Sequence, residues 1–325
     1  MPMRLALTGS VARQPILDAL AQIPAVEVVE TASVALLAAE APTADAMILS
    51  DPRGADGAIL AEALRRPDAR TRWVQIVSAG YAGMLAHALP ETVVVTNQGG
   101  AVANAVAEHA MALVLAHFRG LPAAFSAQTA ERWNTAAIRG ALRTLEGTTA
   151  AILGLGHVGQ ALAARLAPFG VTVIGVNRDG APGPGMERTF SVAALDEALG
   201  LADIVALCLP ASPGTHRLID AGRIAAMKTG ALIVNVGRGE VIDTEALALA
   251  LVEGRLGGAA LDVADPEPLP AGHPLWQAPN LIVTPHVAGG SPLARQRIAR
   301  MVADNVARFA AGAALMNQVY PRIQR

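Results

Sequence analysis

Three side chains of complementary chemistry stand between positions 238 and 286: Arg238 in ALIVNVGRGE, Glu267 in LDVADPEPLP and His286 in LIVTPHVAGG. Each follows a short apolar, strand-like run, and all lie downstream of a glycine loop, Gly154-Leu-Gly-His-Val-Gly159. An arginine supplies a cation and a histidine a proton donor, which is what a small keto or hydroxy acid needs if its carbonyl is to change oxidation state. The glycine loop offers a place for a dinucleotide. Both halves of a redox reaction are therefore present.

Each of these residues has a structural alternative when taken singly. Arg238 could be a surface cation, Glu267 a loop carboxylate and His286 a capping side chain. Their shared position, at strand ends of one doubly wound region, is where ligands gather in parallel sheets. Other chemistries find less support. The histidines at 87, 109, 117, 157, 216, 273 and 286 show no metal-ligand spacing, so no metal is expected. The one cysteine, Cys208, has apolar flanks and reads as a buried strand thiol rather than a nucleophile. The one lysine, Lys228, sits in a helix-end context poorly suited to Schiff-base chemistry. Glu108 and His109 read as the polar side of a helix.

In the glycine loop, Gly154 permits the tight turn, Gly156 lets backbone approach a pyrophosphate, and Gly159 lets helix pack on strand. The loop follows the apolar run TTAAIL and opens the helical stretch QALAARLAPFG, the context the motif requires. The next strand, VTVIGV, ends in Asn177-Arg178-Asp179. Asn177 occupies the position where an acidic residue accepts from the ribose 2′-hydroxyl of NAD, and Arg178 beside it can pair with a 2′-phosphate. NADP(H) is favoured, with NAD(H) possible if Asp179 takes the ribose hydroxyl.

The elements that must position these groups follow from pattern. The first hundred residues alternate β-like runs (RLALTG, VEVVE, DAMILS, WVQIVSAG, TVVVTN) with alanine-rich stretches, which predicts an α/β parallel sheet with crossover helices. Residues 101–118 are apolar on most faces and suit a helix buried at a domain or subunit boundary. A second βα series runs from TTAAILGLG to LIVTPHVAG, each strand nearly all apolar, as expected when both sheet faces are covered. NRDGAPGPGMER is a surface loop, and SPLARQRIARMVADNVARFAAG an amphipathic closing helix expected to return to the first domain. The substrate domain is expected to comprise residues 1–98 and 290–325, and the dinucleotide domain residues 99–289. At 325 residues the chain can hold two cores. A mean hydropathy of +0.40 reflects alanine rather than membrane spans, since no window offers about 18 uninterrupted apolar residues. A net charge of −2 without basic clusters argues against nucleic acid. The N-terminus lacks a signal-peptide pattern, and a cytoplasmic location is expected.

From about Val74 onward the chain resembles the D-isomer-specific 2-hydroxyacid dehydrogenases. The matching stretches are VSAG, VVVTNQGG, VAEHAMAL, GLGHVG, LPASPGTHRLIDAGRIAAMKTGALIVNVGRGEVIDTEAL, GAALDVADPEPLP and PNLIVTPHVAG. The resemblance implies two doubly wound parallel-sheet domains, a Rossmann cofactor domain inserted into a flavodoxin-like substrate domain, with the active site in the cleft between them. It implies that Arg238 holds the substrate carboxylate and keto oxygen, an attraction of about 4 kcal/mol at ~4 Å and an effective dielectric near 20, before desolvation. His286 would be general acid in reduction and base in oxidation, with Glu267 orienting the ring and favouring its protonated form. Backbone N–H groups of Ala79, Gly80 and Tyr81 would bind the substrate carboxylate, although Ala82 stands where many relatives carry aspartate; Tyr81 could equally be packing. Cofactor contacts are implied at His157, Val158, Leu209, Pro210, Val236, Gly237, Arg238, Asp262, His286 and Gly289, Asp262 having an alternative as a turn former. A homodimer is implied through the 102–118 helix and the arm reaching Trp133. The chain ends soon after its closing helix, so the added regulatory domain of some phosphoglycerate-oxidising relatives is not expected.

The expected activity is reversible hydride transfer between NAD(P)H and a small 2-keto or D-2-hydroxy acid such as glyoxylate or hydroxypyruvate. The rival is a dinucleotide-sensing, corepressor-like binding protein without turnover. Formate or phosphite oxidation is a lesser alternative.

Overall fold

Apolar runs of four to six residues, too short to be helices and separated by alanine-rich helix formers, bury both faces only when they line up in a parallel sheet covered by helices. The computed structural model describes residues 2–321 and divides into two compact units, one made of the chain up to Val102 with the part from Gly290 onward, the other Ala103–Gly289.

In the first unit the chain runs β1 (Met3–Thr8), α1 (Arg13–Leu20), β2 (Val26–Thr31), α2 (Val34–Ala39), β3 (Ala46–Leu49), α3 (Ala55–Arg65), β4 (Trp73–Ile76), α4 (Ala82–Leu85) and β5 (Val94–Thr96). The second unit follows with α5 (Ala103–Phe118), α6 (Leu121–Thr129), α7 (Thr135–Arg139), β6 (Thr149–Leu153), α8 (His157–Leu166), β7 (Thr172–Asn177), β8 (Arg188–Ser191) and α9 (Leu195–Leu201). It continues through β9 (Ile204–Leu207), α10 (Ala221–Ala226), β10 (Leu232–Asn235), α11 (Thr244–Val252), β11 (Gly258–Leu261) and β12 (Leu281–Val283). The chain then re-enters the first unit with α12 (Pro292–Ala310) and β13 (Gln318–Tyr320).

The first sheet has the order β13-β5-β4-β3-β1-β2, parallel from β1 to β5, with β13 antiparallel at the edge. The succession 2-1-3-4-5 is the doubly wound, flavodoxin-like order. Every residue of β3 and β4 is buried. α12 starts where Ser291 Oγ accepts from Ala294 N and Pro292 opens the helix, and its apolar face, Ile298, Val302 and Val306, packs on Leu5, Ile16 and Trp73. A buried polar chain fixes its register: Asn305 Nδ2 donates to Gln75 Oε1 and Met316 O, and its Oδ1 accepts from Met316 N. Thr96 Oγ1 donates to the same Gln75 oxygen and accepts from Trp73 Nε1. Leaving one such group unpaired costs about 1–3 kcal/mol, so the network specifies one seating of α12.

The second sheet, β12-β11-β10-β9-β6-β7-β8, is parallel throughout. The strand order reverses direction between β6 and β9, the place where a parallel sheet opens a crevice beyond its carboxyl ends. α5 packs on β10, β11 and α8, and eight of its residues are buried, from Ala103 to Phe118. Two strands are not evident from the sequence pattern. β8, Arg-Thr-Phe-Ser, pairs only with β7, and β13 only with β5. β8 buries only Phe190 and β13 is three half-buried residues, so neither carries the apolar run that marks an interior strand.

Candidate active site

The carboxyl ends of six parallel strands, β6, β7, β9, β10, β11 and β12, carry Gly154, Asn177, Leu209, Arg238, Asp262 and His286 respectively, either at the last strand residue or within three residues of it. The sheet thus delivers most of the expected site residues to one edge of the second unit. Ala79, Gly80 and Tyr81 belong to the first unit, between β4 and α4.

The glycine loop is built by close approach. Gly154 has φ of +98°, and a Cβ there would lie 2.8 Å from Cys208 O; a Cβ on Gly159 would lie 2.1 Å from Gly154 O. Any side chain at either position forces the loop off the sheet. At Gly156, by contrast, a Cβ would meet nothing within 4 Å, and as N-cap of α8 this residue offers no side-chain hydrogen bond. Gly156 and His157 are exposed where α8 opens, at the positive end of the helix dipole, which fits a pyrophosphate.

After β7, Asn177 shapes its own loop: Nδ2 donates to Ala181 O, and Oδ1 accepts from Gly180 N. Asp179 Oδ1 accepts from Ala181 N, so this carboxylate is engaged in a local turn. Arg178 is exposed, and among the described residues it makes no hydrogen bond or ion pair.

Arg238 is set by two glycines and one asparagine. A Cβ on Gly237 would lie 2.6 Å from Leu209 O, and one on Gly239 2.0 Å from the Ala264 backbone, so only glycine fits on either side of the arginine. Asn235, fully buried at the end of β10, accepts from Gly237 N and donates to Arg238 O at 2.9 Å. Arg238 Nη1 donates to Gly237 O at 2.6 Å. Val236 is buried in this turn, and Leu209 packs against the core while Pro210 is exposed.

His286 and Glu267 meet at 2.6 Å, Nδ1 to Oε1. The histidine has φ of +53°, a left-handed conformation that a non-glycine residue adopts at a cost of about 1–2 kcal/mol. Hydrogen bonds hold it there: His286 N donates to Asp262 O and Thr284 O, and the Asp262 carboxylate accepts from Val287 N at 3.0 Å and Ala288 N at 3.0 Å. Asp262 is 2% exposed, and its own N–H donates to Asn235 O. One buried aspartate thus joins the loop of Arg238 to the loop of His286, continuing to Gly289. The Asp262 carboxylate is occupied by protein donors, Thr284 Oγ1 among them.

Three residues of this framework are not marked as functional in the sequence. Asn235 and Thr284 look like ordinary strand-end polar residues, although Asn235 in an otherwise apolar interior strand is the signal that could have found it. His109 on α5 places Nε2 2.9 Å from Thr284 Oγ1 and 3.5 Å from Asp262 Oδ1. Glu108 keeps to the expected polar side, pairing with Arg165 at 3.0 Å. Burial pushes the Cys208 thiol up to about 12, so it remains a neutral thiol at working pH. Among the described residues no His, Cys, Asp or Glu cluster is arranged to hold a metal ion.

In the first unit, Ser78 Oγ accepts from Asp51 N and donates to Gly80 O, while the Asp51 carboxylate accepts from Gly83 N and Met84 N. These bonds fix the turn, and among the described residues the N–H groups of Ala79, Gly80 and Tyr81 have no protein acceptor. Such a run of open donors suits an anion. Tyr81 packs its ring against the core of that unit.

Residues 111–288 match the family model for the D-isomer specific 2-hydroxyacid dehydrogenase NAD binding domain. A glyoxylate reductase of Thermofilum pendens is 37% identical over 225 residues, 65% of this chain and 63% of that protein. A D-3-phosphoglycerate dehydrogenase of Mycobacterium tuberculosis is 32% identical over 280 residues, 85% of this chain but only 51% of its own length, so the chain spans about half to two thirds of these curated relatives. Among solved structures, a D-isomer specific 2-hydroxyacid dehydrogenase of Xanthobacter autotrophicus Py2, in complex with NADPH and MES, aligns with a TM-score of 0.80 at 29% identity, covering 99% of each chain. More than half of the chain, including every strand end that carries the site in the second unit, lies inside the matched domain. The chain belongs to the D-isomer specific 2-hydroxyacid dehydrogenase family, whose members are NAD(P)-dependent oxidoreductases.

Proposed function

We propose that the protein transfers hydride reversibly between NADP(H) and the α-carbon of a small 2-keto or D-2-hydroxy acid, glyoxylate and hydroxypyruvate being the first substrates to try. The observation that carries this reading is the 2.6 Å contact between His286 Nδ1 and Glu267 Oε1 at the carboxyl edge of a dinucleotide-type sheet. An imidazole has two nitrogens. With Nδ1 occupied by the carboxylate, Nε2 is left to exchange a proton with the substrate oxygen.

In the reducing direction the bound nicotinamide supplies the hydride. The Arg238 guanidinium grips the α-carboxylate and polarises the keto oxygen, His286 Nε2–H gives its proton to the oxygen as the carbonyl bond opens, and Glu267 steadies the imidazolium. In oxidation the same histidine takes the proton back. The preference for NADP(H) is supported by Asn177 in place of a carboxylate, by Asp179 being engaged in its own turn, and by the exposed Arg178. The Xanthobacter relative was solved with NADPH, and the Thermofilum relative is named a glyoxylate reductase. A homodimer completes the proposal.

Steady-state rates with a panel of 2-keto acids, using NADPH and NADH in turn, test this reading. Turnover of glyoxylate or hydroxypyruvate with a higher kcat/KM for NADPH is expected. Preference for NADH overturns the cofactor assignment; tight NADPH binding with no turnover of any acid supports the sensor reading instead.

A further inference from the structure

We propose that His109 is a positioning residue for His286, acting through Thr284 and Asp262. The inference rests on His286 being the acid/base of the proposed reaction. It begins with the direction of two hydrogen bonds. Thr284 Oγ1 lies 2.6 Å from Asp262 Oδ1 and 2.9 Å from His109 Nε2. The Asp262 carboxylate already accepts from two backbone N–H groups, so it is used as an acceptor, and the single threonine proton goes to it. Thr284 Oγ1 must then accept from His109, which requires the proton on Nε2. The chain is directional: His109 Nε2–H to Thr284 Oγ1–H to Asp262.

At its far end this chain reaches the backbone that presents His286. Asp262 receives Val287 N and Ala288 N on its carboxylate and His286 N on its carbonyl, and these bonds hold the histidine at φ +53°. A strained residue persists only where its surroundings over-determine it. His109 supplies one of those constraints from a different element, tying the loop after β12 to α5. Its side chain is 24% exposed, whereas that of its neighbour Glu108 is 68% exposed and forms an ion pair; a residue serving only to wet the helix surface would resemble Glu108. His109 touches neither His286 nor the Glu267 carboxylate in any hydrogen bond among the described residues, so its effect is on placement.

The test compares His109→Leu, His109→Gln, Thr284→Val and the His109→Leu/Thr284→Val double variant in the full chain. Expected for His109→Leu is a kcat about tenfold or more below wild type, with KM, NADPH Kd and Tm little changed, because an interaction needed only to place the acid/base acts on turnover. His109→Gln, which keeps a donor at similar reach, should recover most of the loss, and the double variant should be no worse than the poorer single one, since both break the same chain. Amide exchange at Val287 and Ala288 should accelerate about tenfold in His109→Leu while that of β10 stays as in wild type. Wild-type kcat and exchange in His109→Leu overturn the proposal, as do a glutamine variant as impaired as leucine or additive losses in the double variant. If the wild-type protein turns over no 2-keto acid, the proposed function fails, and the exchange rates alone decide whether His109 positions the loop.

Discussion

Glu267 and His286 show why geometry has to be weighed against exposure. Their side chains are 42% and 44% exposed, and an ion pair that wet contributes about 0–1 kcal/mol to stability. A contact at 2.6 Å worth so little to the fold is better explained by what it does to the imidazole, namely holding Nδ1 so that Nε2 is presented. Glu267→Gln keeps an acceptor for Nδ1–H but removes the charge that steadies the imidazolium. It is expected to lower kcat about 10²-fold, within the range that general acid–base catalysis contributes, with Tm unchanged. Steady-state kinetics and a thermal melt check both halves, and a wild-type kcat would remove the pair from the chemistry. Arg238 was legible at this scale because guanidinium chemistry and its flanking glycines are written in NVGRG. The hydrogen bonding of Asp262 was not, since its carboxylate finds its donors 22, 25 and 26 positions away, at Thr284, Val287 and Ala288.

At the scale of elements, α5 is held to β11 by shape. Gly258 leaves room for His117, whose Cε1 would lie 2.1 Å from a Cβ at that position. Arg143 stacks over the Phe118 ring at 4.7 Å and donates to Gly230 O, closing the same seam. Burial, and secondarily the nearby Arg143 charge, push the His117 imidazole below its ordinary 6.5. In the folded protein His117 therefore stays neutral at a pH where the unfolded chain has begun to bind a proton. The unfolded state takes up more protons in that window, so stability is retained above about pH 6.5 and lost as pH falls below it. His117→Gln should show a shallower decline in Tm between pH 7 and about pH 5 than wild type, measured by calorimetry; parallel declines would mean that His117 does not contribute. The helix itself could be read from its apolar run, but that its histidines, His109 and His117, about two turns apart, meet the loop after β12 and β11 respectively could not.

At the scale of the whole molecule, each unit has a core of its own, and the second leaves apolar side chains uncovered: Phe125 on α6 is 61% exposed and Trp133 just after it 98%. Isolated exposure is ordinary, and these two aromatic groups are the ones on which the proposed dimer contact is tested. Light scattering should give twice the 33.3 kDa chain mass, and Phe125→Glu with Trp133→Glu should give the mass of one chain. A monomeric wild-type protein would refute the dimer. By itself the sequence determined the α/β class and the glycine loop and singled out Arg238, Glu267 and His286 as candidates, because interior strands, tight turns and charged groups after apolar runs each leave a local signature. The short edge strands β8 and β13 left none, since neither carries an apolar run. Only tertiary structure decided that Asn235, Asp262, Thr284 and His109 form one hydrogen-bonded framework at the site. Such bonds join residues brought together by the winding of the sheet, and no spacing along the chain records which donor will find which acceptor.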